Sequence, residues 1–196
     1  MVLHHMHDVL VIGGGVAGLQ AAVFTAKAGL ETVVLDDGNP LVSNTDKIQN
    51  LLTEERIAGD EIIKSGRERV MEFDGNIEKA TVTRLDREDM PGPFTVTTES
   101  DDSYRSEAVI IATANEFDML TPLDDEIEYV DGPEGEFTME KHIQTDDANQ
   151  ASDNIYVAGL ANTWEYQTAV AIGDGAKAAI NLVSDRNEEA YIDHDW

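Results

Sequence analysis

The sequence predicts an α/β fold in which a parallel β-sheet carries a small antiparallel β-meander. Apolar runs that end in glycine or an acidic residue are typical of buried parallel strands, and the first two of them flank an alanine-rich helical stretch. Two further segments alternate polar and apolar residues on either side of a Pro-Gly-Pro turn, which indicates a hairpin. The chain has 196 residues, 41% of them hydrophobic, which favours one domain with a substantial core.

The first βαβ unit occupies roughly thirty residues. Residues 8–12 form a near-continuous apolar strand, and residues 19–28 form a helix that Gly29 ends. Residues 32–35 form the second strand, and Asp36 stands at its end.

A dinucleotide-binding fingerprint lies between this strand and this helix. Gly13, Gly15 and Gly18 have G-x-G-x-x-G spacing, which provides a tight turn, close approach of a pyrophosphate and close helix–strand packing. The helix N-terminus supplies N–H groups for phosphate, and Asp36 is placed to accept hydrogen bonds from adenosine ribose hydroxyls. The carboxylate disfavours a 2′-phosphorylated nucleotide. The alternative is a glycine-rich turn that binds no ligand.

The middle of the chain predicts a long loop, a helix, a hairpin and a buried strand. These elements are, in order, the loop 38–52, the helix 58–73, the strands 76–86 and 94–98, and the strand 105–112.

The C-terminal part predicts a connector, a strand, a helix and a tail. Residues 113–135 are acidic and contain prolines and glycines, so we expect an irregular connector. A strand at 155–158 and a small-residue helix at 168–183 follow, and then a polar tail that we expect to be mobile. Gly173, Gly175 and Ala178 repeat the fingerprint spacing inside this helix, where close helix packing explains them better than a second nucleotide site.

Charge and cysteine content exclude several classes of function. Thirteen basic and 40 acidic side chains give a net charge of −27, which argues against partners such as nucleic acid or an anionic membrane surface. The acidic residues are spread along the chain, so we interpret them as a surface adapted to high salt, with cation or basic-partner binding as the alternative. The absence of cysteine excludes disulfides, thiolate nucleophiles and cysteine-ligated metals from this chain.

The sequence also allows predictions about cellular location and about metal binding by the N-terminal histidines. Without a recognisable targeting segment or membrane span, we expect a cytoplasmic protein, in keeping with a halophilic source. His4, His5 and His7 have spacing that could hold a metal, but we interpret them as a frayed or added terminus and predict no metal site.

Three separated segments together resemble the FAD-binding half of the thioredoxin reductase-like flavoproteins, in the pyridine nucleotide–disulfide oxidoreductase superfamily. The first segment comprises residues 11–18 and 34–36, and the second comprises residues 108–114. The third comprises residues 154–159 and 166–179. The resemblance implies a Rossmann-like, three-layer FAD-binding domain assembled from 1–114 and 136–184. Residues 115–135 then take the place of the family's NADPH domain, and 185–196 form an acidic tail.

The resemblance also implies which residues contact FAD. Gly13, Gly15 and Gly18 would face the pyrophosphate, and Asp36 would face the adenosine ribose. A last helix that begins beneath the flavin ring would stabilise negative charge on the reduced flavin. The full set of predicted cofactor contacts is Gly13, Gly15, Val16, Ala17, Gly18, Asp36, Asp37, Asn50, Val82, Ala112, Thr113, Gly159, Leu160, Gln167 and Thr168.

Four departures from the family pattern bear on activity. Only about forty residues separate Ala114 from Asn154, which is too few for a second nucleotide-binding domain. The redox cysteine pair is absent, Ala114 replaces the usual glycine, and Leu160 replaces the aspartate that bonds the ribityl chain. Asn162 is a candidate substitute for that polar contact.

Two functions remain open from the sequence. The first is an FAD-binding oxidoreductase-like flavoprotein that takes electrons from a protein partner or from transiently bound NAD(P)H. The second is a non-catalytic module that binds FAD, NAD or ADP. His142 is a candidate proton donor, with a plain strand or surface residue as the alternative. Trp164 and Tyr166 are candidates to cover the flavin ring or a homodimer surface, with a place in the core as the alternative.

Overall fold

The computed structural model describes residues 5–52, 56–133 and 140–194. In these ranges the strands are β1 (Met6–Ile12), β2 (Thr32–Asp36), β3 (Asn76–Lys79), β4 (Val82–Arg87), β5 (Phe94–Thr98), β6 (Ser103–Ile111), β7 (Tyr129–Asp131), β8 (Lys141–Ile143), β9 (Gln150–Ser152) and β10 (Ile155–Val157). The α-helices there are α1 (Val16–Lys27), α2 (Gly59–Glu72) and α3 (Thr168–Asn187). No helix in these ranges combines the length and hydropathy that crossing a bilayer requires.

The main sheet confirms the predicted fold class. Its strand order is β3-β2-β1-β6-β10-β9, with every pairing parallel except that of β9. The antiparallel strands β4 and β5 continue from the first half of β6 and form the meander. Strands β7 and β8 form a separate antiparallel pair. The chain order of the central strands reverses between β1 and β6, where α/β folds of this type bind ligands.

The core consists of two apolar clusters, one on each face of the sheet. Leu10 and Ile12 of β1 pack with the meander, whereas Val9 and Val11 pack with the helices. Successive side chains of a strand point to opposite faces, so a strand buried on both faces needs a continuous apolar run. The result is three layers: helices, parallel sheet, and the meander with the segment that follows β6.

The segment predicted as one strand at 76–86 is two strands. β3 runs parallel to β2 at the edge of the sheet, and β4 begins the meander. The chain turns between them, where the Ala80 amide donates a hydrogen bond to the Asp36 carbonyl at 2.9 Å. The period-two pattern of side chains is the same in both strands, so it does not reveal that their pairing partners differ.

The acidic segment expected to be an irregular connector contains ordered structure. A 3₁₀ segment, Asp118–Leu123, and the strand β7 lie within it. Phe117, Leu120 and Ile127 are buried in the core cluster beneath the meander. Residues 134–139, which include the end of the predicted connector, lie outside the described residues. The predicted domain boundaries stay a prediction.

The tail expected to be mobile contacts the body of the protein as far as Asp193. Helix α3 runs four residues beyond its predicted end and stops at Glu188, which has a left-handed φ of 55°. Tyr191 packs partly buried against the helical cluster, and Lys27 Nζ lies 2.8 Å from an Asp193 carboxylate oxygen.

Helices α1 and α3 cross so closely that only glycine fits at one position. A Cβ on Gly175 would lie 2.1 Å from the Ala17 carbonyl oxygen, while no described atom lies within 4 Å of a Cβ on Gly173. Close helix packing therefore explains Gly175, whereas Gly173 adjoins open space and is not explained by it.

We expect Gly175→Ala to lower the free energy of unfolding by about 2 kcal/mol, because the methyl group meets a backbone atom. The matched control Gly173→Ala should raise it by about 0.5–1 kcal/mol, since alanine is the better helix former. Denaturant unfolding at high salt measures both. Equal effects of the two variants would contradict the packing argument.

Candidate dinucleotide-binding site

A cavity of about 750 Å³ opens at the carboxyl ends of the parallel strands. It is lined by the residues that follow β1 and β6, by Asp36 at the end of β2, and by Gly159 beyond β10. This volume lies within the range of small-molecule and cofactor sites, and the cavity lies at the edge of the sheet where such folds bind nucleotides. Of the fifteen predicted contact residues, all except Gly18 line it.

The three fingerprint glycines have different roles. Gly13 has a φ of +107°, and a Cβ there would lie 2.4 Å from the Ala112 carbonyl oxygen. A Cβ on Gly18 would lie 1.9 Å from the Gly13 carbonyl oxygen, so Gly18 sits beneath the turn and packs helix against strand. Gly18 is not among the residues that line the cavity, and its predicted place facing the pyrophosphate stays a prediction. No described atom lies within 4 Å of a Cβ on Gly15, so open space adjoins the backbone there.

The N-terminus of α1 faces this open space. Gly15 is the N-cap residue, and none of the residues in the first turn, all of which are described, is acidic. Val16 and Ala17 of this turn line the cavity. The first N–H groups of a helix have no partner within it and carry partial positive charge, so this turn is suited to a phosphate group.

Asp36 is buried and held on both carboxylate oxygens. Its Oδ1 accepts hydrogen bonds from the amides of Gly14 (3.3 Å) and Gly38 (3.2 Å). Its Oδ2 accepts a hydrogen bond from Arg67 Nη2 on α2. A carboxylate offers about four acceptor positions, so capacity for a ribose hydroxyl remains. Arg67 offsets the negative charge that was predicted to disfavour a 2′-phosphorylated nucleotide, which weakens that prediction.

The other end of the cavity is formed by the loop after β2 and the start of α3. Asn50 Nδ2 donates a hydrogen bond to Gln167 Oε1 at 2.7 Å, which joins these two elements. Gln167 is the N-cap residue of α3, and Thr168 begins the helix. Tyr166 lines this end and is 48% exposed, so an aromatic surface stays accessible at the rim.

A polar network beneath the cavity surrounds Asp174 of α3. Its Oδ2 accepts a hydrogen bond from the Gly159 amide at 2.7 Å, and its Oδ1 accepts one from Asn149 Nδ2 at 2.7 Å. Asn162 Nδ2 also donates to Asp174, and Asn162 Oδ1 accepts from Thr145. Asn162 is therefore engaged in the network and is not among the residues that line the cavity, so its predicted role as a ligand contact is not supported. Leu160 does line the cavity.

Ala114 adopts the backbone conformation that explains why a glycine is usual there. Its φ is 57°, in the left-handed region, which costs an L-residue about 1–2 kcal/mol. We expect Ala114→Gly to raise the free energy of unfolding by about 1 kcal/mol, measured by denaturant titration. In the interior of α3, Ala176→Gly should lower it by about the same amount. A loss of stability in both variants would count against the strain at Ala114.

His142 does not reach the cavity. It lies on β8, paired with Val130, and it is not among the residues that line the cavity. Burial lowers the pKa of His142 from its ordinary value, which favours the neutral ring. Its predicted role as a proton donor at the site is not supported by this placement.

Several cavity residues were missed in the sequence. Residues 115–119, assigned to the connector, form part of the wall, as does Thr81 in the turn between β3 and β4. The sequence gives no sign that Arg67 pairs with Asp36, which lies 31 residues away. The apolar residues Phe117 and Met119 within an acidic segment were a usable signal that this segment packs inward.

Comparison with known proteins identifies the family. A model described as pyridine nucleotide-disulphide oxidoreductase matches residues 7–159. The NADH dehydrogenase of Bacillus subtilis is 34% identical over 110 residues, which are 54% of this chain and 21% of that protein. The thioredoxin reductase of the same organism is 30% identical over 115 residues, which are 57% of this chain and 35% of that protein. The chain thus spans between a fifth and about a third of the length of these relatives.

Solved structures show the same fold. A thioredoxin reductase from Gloeobacter violaceus has a TM-score of 0.78 at 18% identity and covers 97% of this chain and 98% of its own. An oxidoreductase from Agrobacterium tumefaciens has a TM-score of 0.79 at 16% identity, with coverage of 94% and 100%. The resemblance inferred from the sequence is confirmed. The chain belongs to the pyridine nucleotide-disulphide oxidoreductase family and has the fold of its FAD-binding domain.

Proposed function

We propose that this chain is a flavoprotein that binds FAD in the cavity at the carboxyl edge of the sheet. The observation that carries the proposal is the open backbone at Gly15, above the N-terminus of α1, in the same cavity as Asp36 and Gln167. Ribose-binding, phosphate-binding and ring-facing positions would then follow one another along a single groove.

We assign the predicted residues to the parts of FAD as follows. Gly13, Gly15 and Val16 would hold the pyrophosphate, while Asp36, with Asp37 and Val82 nearby, would hold the adenosine end. At the opposite end, Thr113, Leu160 and the start of α3 line the space for the flavin ring. The N-terminus of α3 would favour negative charge there. When bound, a flavin accepts and donates electrons, which is the chemistry that the chain itself lacks.

Electron transfer to and from the flavin would use groups outside this chain. It contains no cysteine, so it holds no dithiol to pass electrons to a disulfide. We propose a protein partner or transiently bound NAD(P)H as the electron donor. A homodimer is a further proposal, which the half-exposed Trp164 and Tyr166 at this end favour.

A second candidate function is a non-catalytic module that binds an adenine dinucleotide. Leu160 at the ring end favours it, because an apolar side chain replaces the carboxylate that bonds the ribityl chain in the family. Loss of one charged hydrogen bond costs about 1.5–3 kcal/mol, which weakens a multi-contact site without abolishing it.

A visible absorption spectrum separates the two candidates. The protein is purified in high salt, because its charge of −27 predicts a need for screening, and spectra are recorded before and after FAD and then NADH or NADPH are added. We expect flavin bands that stay with the protein through gel filtration, and bleaching of those bands by a reduced nicotinamide or a protein donor. Retained but unreducible flavin would favour the non-catalytic module. Protein that stays colourless would overturn FAD binding, and titration with NAD and ADP would then identify the adenine ligand.

A further inference from the structure

Two histidines and a glutamate meet at the amino-terminal end of the sheet, away from the cavity. His5 precedes β1, His7 lies within it, and Glu31 precedes the neighbouring strand β2. Their ligand atoms all lie within 4.8 Å of one another. The proposed function uses none of these three side chains.

The positions of the two histidines follow from strand geometry. Residues two apart on a strand project from the same face, so the His-x-His spacing directs both rings to one side. Both rings contact the same Glu31 oxygen, with His7 Nδ1 at 3.1 Å and His5 Nε2 closer. Neighbouring ligands of a tetrahedral ion with bonds near 2.0–2.2 Å lie about 3.3 Å apart, so small side-chain shifts suffice to admit an ion.

Hydrogen bonds hold the backbone next to His7 and at Glu31. The amides of Asp8 and Val9 donate to the Glu31 carbonyl at 3.1 and 3.2 Å, and the Glu31 amide donates to Asp8 Oδ2 at 2.7 Å. Arg186 of α3 holds Asp8 in turn. The side chain of His7 is only 16% exposed. The prediction of a frayed terminus is therefore wrong for His7, which pairs with Ser106 in the sheet. For His5, which precedes β1, it stays a prediction, and His4 lies outside the described residues.

We infer that His5, His7 and Glu31 form a binding site for a divalent transition metal of the zinc class. Two neutral imidazoles and one carboxylate suit Zn²⁺, Co²⁺ or Ni²⁺ better than Mg²⁺ or Ca²⁺, which prefer all-oxygen sites. Three protein ligands leave a fourth position for water. The ion joins the start of β1 to the residue before β2. It therefore stabilises the pairing of these two strands at their amino-terminal ends.

The test is calorimetric titration of chelator-treated protein with ZnCl₂ in high salt containing excess MgCl₂, which occupies weak acidic sites. We expect one zinc ion per chain and a higher melting temperature with zinc. His7→Gln and Glu31→Gln should each weaken binding at least tenfold, while His194→Gln, a change at an exposed histidine of the tail, should not. Cobalt substitution should produce the visible absorption of a tetrahedral ion in the original chain and lose it in the two variants.

Two results would overturn the site. One is the absence of stoichiometric zinc binding in the presence of MgCl₂. The other is binding by His7→Gln and Glu31→Gln that equals binding by His194→Gln, which would assign the zinc to other groups. Circular dichroism of each variant verifies that it is folded, so loss of binding is not mistaken for loss of structure.

Discussion

Replacing Gly15 by alanine is expected to weaken FAD binding by about a hundredfold while leaving the fold intact. No described atom lies within 4 Å of the new methyl group, and Gly15 has a φ of −75°, which alanine adopts readily. The methyl group would instead occupy the space through which a pyrophosphate approaches the backbone. A steric penalty of about 3 kcal/mol corresponds to a hundredfold loss of affinity.

Flavin fluorescence titration measures the affinity, and denaturant unfolding measures the stability. Gly173→Ala is the matched control, because its methyl group also enters open space but lies outside the cavity. It should bind FAD as the original chain does. The free energy of unfolding of Gly15→Ala should change by less than about 1 kcal/mol, the effect of a change at a helix N-cap. Unchanged FAD affinity in Gly15→Ala would place the pyrophosphate elsewhere.

Asp174→Ala should lower the free energy of unfolding by about 3 kcal/mol, because the Gly159 amide and one N–H of the Asn149 side chain each lose their acceptor. Asn149 is 1% exposed, and its side-chain amide donates to Asp174 at 2.7 Å. The Gly159 amide, at the end of the strand that lines the cavity, loses its acceptor as well. FAD affinity should fall too, since the backbone at Gly159 is no longer held.

Denaturant unfolding of three variants tests this network. Asp174→Asn should show a smaller loss than Asp174→Ala, because the amide oxygen still accepts one of the hydrogen bonds. Asp147→Ala, at an exposed position, should change the free energy of unfolding by less than about 0.5 kcal/mol. If Asp174→Ala lowered the free energy of unfolding no more than Asp147→Ala, the network would not contribute to stability.

Local features of the sequence predicted most of the first βαβ unit, from β1 to β2. The strand, glycine turn, helix and second strand lie within one continuous stretch, and each element depends on its own neighbours in sequence. Gly13 and Asp36 could be placed at the cavity for this reason, since the turn and the strand end are short-range geometry. The boundaries of β5 were also predicted correctly, because a turn precedes it and its side chains alternate clearly.

Contacts between distant parts of the chain were not predictable in this way. Arg67 reaches Asp36 from a helix 31 residues away, and Asn50 meets Gln167 across 117 residues. The acidic segment after β6 was expected to be irregular because its average composition is polar. A few buried apolar residues, such as Phe117 and Leu120, nevertheless attach it to the core.

The sequence by itself determined the family, the α/β class and the glycine turn with its carboxylate, because these depend on residue type and short spacing. It also determined that no thiol chemistry can occur within this chain. Only the tertiary structure decided that Arg67 pairs with Asp36, that Asp174 holds Gly159, and that His5 and His7 meet Glu31. These contacts join elements that are far apart in sequence, so they exist only once the sheet and its helices have packed together.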